Sequence, residues 1–300
     1  MPLEIITTIE AINAIFTFIR NLESFSGAGL NINAGANKIY RDNLKSNSAN
    51  QNDFIPFNSQ KTEKRKDKAA IVVSQHVPGI VSQNVEIEES ISIKSIRKKI
   101  SEGLIIEHIS FGLNKWHVIF SRNQLIRKQS VKKFSIFPRR FIGKNIWAKG
   151  QRVHSIAHGK LGHWIIAYGD QSDYLEQGWV ITSTNKLDSR LEFISSKKLA
   201  IDEIIFTGKN WIIFYSKQRI PADQAILIDP MLSRGRIKDH LDKGYKIRAF
   251  EHGMGRWVFI LCKNLSRGKQ KLIVENEVSK SLIRDQINEK FCVESITFGK

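Results

Sequence analysis

The stretch that decides the fold is Ile106–Ser121, IEHISFGLNKWHVIFS. It reads as an isoleucine-rich strand, a turn at Gly112 and a second strand opened by Trp116. Three further segments repeat it: VHSIAHGKLGHWIIAYG (Val153–Gly169), AIDEIIFTGKNWIIFYS (Ala200–Ser216) and IRAFEHGMGRWVFILC (Ile247–Cys262). A shorter fifth copy, VESITFGK, occupies Val293–Lys300. The turn glycines Gly112, Gly159, Gly208, Gly253 and Gly299 are separated by 47, 49, 45 and 46 residues. Trp116, Trp164, Trp211 and Trp257 are separated by 48, 47 and 46. Self-similarity at this period signals a propeller or a solenoid.

Each unit continues beyond the hairpin. A third strand follows the Trp strand: VKKFSIF, GWVITS, QAILID and QKLIVEN in successive copies. An apolar pair four residues apart then closes the unit: Ile142/Ile146, Ile237/Leu241 and Ile283/Ile287. Spacing of four predicts a turn of helix there rather than a fourth strand. The fifth copy breaks off at its glycine, and its missing half is found at the front of the array. Ala69–Ser74 (AAIVVS) matches the Trp-type strand, Val85–Ile91 the third strand, and Ile96/Ile100 the closing pair. This predicts an all-β, five-unit β-propeller over residues 69–300, closed by pairing of N- and C-terminal strands, which removes open sheet edges.

Ahead of the array, residues 1–25 predict a separate amphipathic helix. Ile5, Ile9, Ile12, Phe16 and Ile19 fall on one stripe, widened by Ile6 and Ile15. A lone helix of that length needs its stripe covered, by docking, by self-association or by a membrane surface. Residues 26–68 predict a disordered linker, Gly/Asn-rich at first and basic at its end (KTEKRKDK, Lys61–Lys68). Where helix and linker meet, SFSGAGLNINAGANKIY (Ser24–Tyr40) resembles the short Asn/Gly motifs through which some bacterial and fungal signalling proteins form amyloid-like assemblies. Homo-oligomerisation through residues 3–40 is one expectation that follows.

Composition narrows the partners. Lys and Arg number 47 against 29 Asp and Glu, a net charge of +18. Such a chain attracts anionic surfaces: nucleic acid, phospholipid or an acidic protein. Two cysteines, Cys262 and Cys292, make no disulfide scaffold and no metal-ligand spacing, which predicts a reducing, cytoplasmic setting. The N-terminus has no basic region before its apolar run, so a signal peptide is not expected.

The repeat pattern I-x-x-I-x-x-G-x-x-x-W, followed by an apolar run and Ser, resembles the tryptophan-containing repeats that follow the kinase domain in plant casein-kinase-I-like proteins. The resemblance covers residues 69–300 and implies a β-propeller-like interaction module. No kinase motif accompanies it, and there is no Walker A, GxSxG or HExxH sequence, so no catalytic activity is carried over.

Candidate binding residues follow from the same alignment. His158 and His252 directly precede their glycines, His108 and His154 stand four and five residues before theirs, and Arg248 and Glu294 lie on the equivalent strands. Projecting into a central channel, these six would meet a ligand. No spacing among them marks a metal site, and no cofactor is expected. A basic surface is expected from Arg139, Arg140, Lys144, Lys197, Lys198, Arg234, Arg236, Lys238 and Lys243, which recur between strands. The four tryptophans read as packing between units. The reading that emerges is a non-enzymatic recognition module or scaffold for a protein or anionic partner. Two alternatives stay open: an effector whose N-terminal helix acts on membranes, and a lectin or hydrolase using the channel.

Overall fold

The computed structural model describes residues 68–299 except 127, 171–173, 219, 221–222 and 264. The helix expected at residues 1–25 and the linker up to residue 67 lie outside the described residues. Strands predominate, arranged as five three-stranded antiparallel sheets. The first sheet holds β2 (Ile80–Glu88), β4 (Lys115–Asn123) and β3 (Ile105–Gly112) in that spatial order. The next three repeat this layout: β5 (Gln129–Phe134), β7 (Trp164–Gly169), β6 (Arg152–His158); β8 (Tyr174–Ser183), β10 (Asn210–Gln218), β9 (Ala200–Phe206); β11 (Gln224–Asp229), β13 (Arg256–Cys262), β12 (Lys246–Gly253). In the fifth, the central strand comes from the other end of the chain. There β1 (Lys68–Ser74) lies between β14 (Gln270–Glu275) and β15 (Cys292–Gly299), with Ile71 opposite both Ile273 and Ile296.

The central strands are continuous apolar runs because both their faces are covered. A strand with one wet face would alternate instead. Five buried clusters do the covering, each spanning one sheet and the next. One joins Trp211 and Ile213 to Val258 and Ile260, and its counterpart at the chain ends joins Ile71 and Ile296 to Val85 and Ile119. The strands that lead into the turns also touch in sequence. These leading strands meet β3 to β6, β6 to β9, β9 to β12, β12 to β15, and β15 to β3.

Between its two flanking strands each unit makes a helical crossover. These are α1 (Ile93–Ser101), a segment opened by α2 (Arg139–Phe141) and continued by a π turn and a 3-10 turn to Lys149, α3 (Leu187–Ser196), α4 (Arg234–Asp242) and α5 (Lys280–Asn288). The i, i+4 pairs do fall in these helices, with Ile96, Ile142, Ile146, Ile237 and Ile283 buried. Ser92 and Ser279 cap α1 and α5, accepting from Ser95 N and Leu282 N. Every crossover ends the same way. A left-handed residue, Gly103, Gly150, Lys198, Gly244 or Lys290, donates to a carbonyl three residues back, and the next residue donates to one five back.

One pairing differs from the expectation. The repeat alignment assigns Val85–Ile91 to the unit containing Ala69–Ser74. Instead β2 pairs with β4, Val85 facing Ile119. The strand that follows each Trp strand therefore crosses to the following hairpin, and its crossover helix fills the gap between sheets. Strand periodicity says which face a residue takes but not which of two neighbouring hairpins it joins.

The glycines also differ in role. Left-handed turn residues include Leu113, Asn114, Leu161, Met254 and Gly255, and of the five repeat glycines only Gly208 joins them (φ 84°). Gly112, Gly159, Gly253 and Gly299 keep negative φ. At those four, a Cβ would fall into a ring of the preceding unit: Phe298, Trp116, Phe206 and His252 with Trp257, respectively. They are glycine because an aromatic side chain occupies the space.

Candidate functional site

Each leading strand carries a one-residue bulge at the same place. The bulged residues are Glu107, His154, Asp202, Arg248 and Glu294. All five are polar, and the residue two before each bulge pairs with a matched position at the end of the central strand: Ser121, Gly169, Ser216, Cys262 or Ser74. Ser121, Ser216 and Ser74 donate their hydroxyls to Glu107, Asp202 and Glu294. Arg248 reaches back one unit to Asp202, Nη2 to Oδ1 at 2.5 Å, and Arg267 Nε lies 2.6 Å from Glu294 Oε2. Burial pushes the Asp202 carboxyl above its ordinary range, against the pull of Arg248, Ser216 and Gln177. Burial raises Glu107 likewise, against hydrogen bonds from Asn123 and Ser121.

A glutamine next to each bulge ties unit to unit. Gln129 takes the Ile106 amide (2.7 Å) and donates to the Ile106 carbonyl (2.8 Å). Gln177 does the same to Val153 and Gln270 to Ile247. Gln224 accepts from Ile201 and donates to Leu199. Gln83 does it to Val293, across the two ends of the described chain. Sequence reading missed this set, although Gln83, Gln129, Gln177, Gln224 and Gln270 recur at 46, 48, 47 and 46 residues.

The six candidate ligand residues therefore divide. His154, Arg248 and Glu294 belong to the bulge belt, where their partners are protein groups. His108, His158 and His252 line a cavity of about 160 Å³ formed by all five leading strands. His108 Nε2 donates to the Ile296 carbonyl at 3.1 Å. The His158 and His252 rings pack on Trp164 (4.6 Å) and Trp257 (4.9 Å). Burial lowers His108 to about 4 and lowers His158 as well. The cavity also receives Glu203, Glu251 and Ser110, which sequence reading did not single out as ligand residues. Burial pushes Glu251 up to about 8, with the neighbouring His252 amide pulling the other way. Glu203 is pushed well above its ordinary value, by burial first and then by the nearby Glu251 and Asp202.

The nine basic candidates sit on or beside the crossover helices, all of them exposed. They fall on three consecutive crossovers, those before β6, β9 and β12. Asp229 neutralises Arg236, and Asp242 pairs with Lys238 at 2.5 Å. Arg139 lies over the Trp179 ring and Lys197 over Phe193. The four repeat tryptophans are buried, at most 5% exposed. Among the described residues no cluster of three or more His, Cys, Asp or Glu side chains could hold a metal, and no helix is long and apolar enough to cross a membrane.

A family described as a domain of unknown function (DUF7477) matches residues 59–161, about a third of the chain. That span includes β1, the first sheet, β5 and β6. No curated protein matches the chain.

Proposed function

We propose that residues 68–299 form a closed five-unit β-propeller that serves as a non-enzymatic recognition module for an anionic partner. The observation carrying this reading is the glutamine bridge. The joint between Gln83 and Val293 uses the same kind of paired hydrogen bonds as the four joints between consecutive units. A chain whose described ends meet through the device that joins its middle has no privileged gap. The circuit of leading-strand contacts supports the same closure. On such a frame the crossover helices lie around the outside, and their lysines and arginines offer a partner several separated contacts. Residues 3–40 supply docking or self-association.

Salt-dependent binding tests the reading. Polyglutamate, a short duplex DNA and phosphatidylserine vesicles are presented to the full chain and to residues 63–300. Binding to one of them weakens as Arg139, Arg140 and Lys144 are changed to Glu, and weakens again when Lys197 and Lys198 follow, with a shallower dependence on salt at each step. Assembly state falls in the shorter chain while binding persists. Binding indifferent to both sets of substitutions would overturn the proposal. Scattering gives a second check, since a compact body of this size has a radius of gyration of about 17–18 Å and an open array a larger one.

A further inference from the structure

The cavity at the meeting of the leading strands has the wrong sign for its protein. The chain carries +18, yet the cavity holds Glu203 and Glu251 and neither lysine nor arginine among its described lining residues. No hydrogen bond or ion pair holds Glu203 among the described residues, and the charges that raise it, after burial, are the carboxylates of Glu251 and Asp202. The Ser110 hydroxyl is buried with no partner among them. The apolar wall includes the rings of Phe111, Phe206 and Phe298. At about 160 Å³ the cavity has room for a short aliphatic molecule.

We propose that this cavity binds a short aliphatic diamine, with Glu203 and Glu251 as counter-ions to its two ammonium ends, Ser110 as a hydrogen-bond acceptor and the phenyl rings against its methylenes. Two half-buried carboxyls facing one cavity without a cation repel each other and hold protons instead. A diammonium ion supplies both missing charges at once, and an ammonium beside an aromatic wall gains a further attraction. The basic exterior disfavours cations at long range, while a small one reaching the cavity meets carboxyls, imidazoles and rings. This site is separate from the exterior surface of the propeller, and its test does not use that surface.

Binding must displace protons, so it tightens with pH. The groups that face the ligand are Glu203, Glu251, His108, His158 and His252, with Asp202 behind Glu203. His108 and His158 are held neutral by burial across the range tested. Glu251 titrates near 8, so its ionised fraction rises from about a tenth at pH 7 to about nine-tenths at pH 9. Titration calorimetry of the full chain with 1,4-diaminobutane is therefore expected to show about tenfold tighter binding at pH 9 than at pH 7. At pH 7, proton release should register as a heat that changes with the buffer.

Glu203→Gln and Glu251→Gln each weaken binding at least tenfold with an unchanged far-ultraviolet spectrum, and the double variant abolishes it. Glu277→Gln, an exposed site, leaves it unchanged. Butylamine binds at least tenfold more weakly. No heat from the diamine at either pH, binding retained by the double variant, butylamine equal to the diamine, or Mg²⁺ matching its affinity would each overturn the assignment.

Discussion

Gln83 and Val293 are 210 residues apart and share two hydrogen bonds, the Val293 amide donating to Oε1 at 2.7 Å and Nε2 donating to the carbonyl at 2.9 Å. The residue before the bulge lies on a strand with one unpaired edge, and the side-chain amide satisfies both of its backbone groups. Replacing Gln83 with Leu strands both. The expected loss is about 1–3 kcal/mol. Gln177→Leu, at an interior joint, loses a similar amount. Chemical denaturation of the two variants checks this, and a much smaller loss at Gln83 would show that the ends are not held as the interior is.

Gly112 sits where a Cβ would enter the Phe298 ring. Gly112→Ala is expected to cost about 1–3 kcal/mol through overpacking. Gly235, in the first turn of α4, has nothing within 4 Å of an added Cβ, and Gly235→Ala is expected to gain about 0.5–1 kcal/mol. Thermal melts of the pair read opposite signs from the same chemical change.

Lys198 and Lys290 take left-handed conformations (φ 56° and 64°) at positions where α1, α4 and the segment ending at Lys149 have glycine. A side chain there costs energy that glycine does not. Lys198→Gly and Lys290→Gly are each expected to stabilise by about 0.5–1 kcal/mol, read as higher denaturation midpoints.

Acid and alkali act through different groups. Burial holds His108, His117 and His154 near 4, below the ordinary 6.5. Between those values the unfolded chain binds protons the folded one refuses. Stability therefore falls as pH drops from 6.5 towards 4, by roughly 1.4 kcal/mol per unit for each histidine. Glu251 has the opposite sign. Its folded value is near 8 against 4.5 unfolded, so its contribution is whole below 4.5 and is lost as pH rises through 8. The two effects oppose each other between 4.5 and 6.5, and above 6.5 the carboxyls govern. Melting temperature is expected to decline from pH 6.5 to 8, and Glu251→Gln to flatten that decline.

Much of this architecture is legible because it is written in apolar residues. The Trp-led runs mark the central strands, the four-spaced isoleucines mark the crossovers, and AAIVVS betrays its origin by matching WHVIFS in place and burial. The choice of neighbour for Val85 is not legible, since the same strand pattern serves either hairpin. The glutamines recur every 46–48 residues but lie in the most variable strand, where one recurring amide among changing neighbours does not stand out. Glu203 and Glu251 belong to different units at non-equivalent positions, so alignment of the repeats hides their meeting. His154, Arg248 and Glu294 read as ligand residues because polar groups on an apolar strand are unusual. The bulge explains them: the extra residue meets protein partners, Gln129 for His154 and Ser74 and Gln270 for Glu294 within their own sheets, and Asp202 of the preceding unit for Arg248.

The hydroxyl of Ser74 meets Glu294 across 220 residues of chain. During synthesis, at roughly 5–20 residues per second, that interval lasts about 10–45 s. For most of it the AAIVVS strand has been made and neither of its flanking strands exists. Among the described strands, the first to be made is thus the last to be enclosed, and a chaperone that shields it would govern the yield of folded chains.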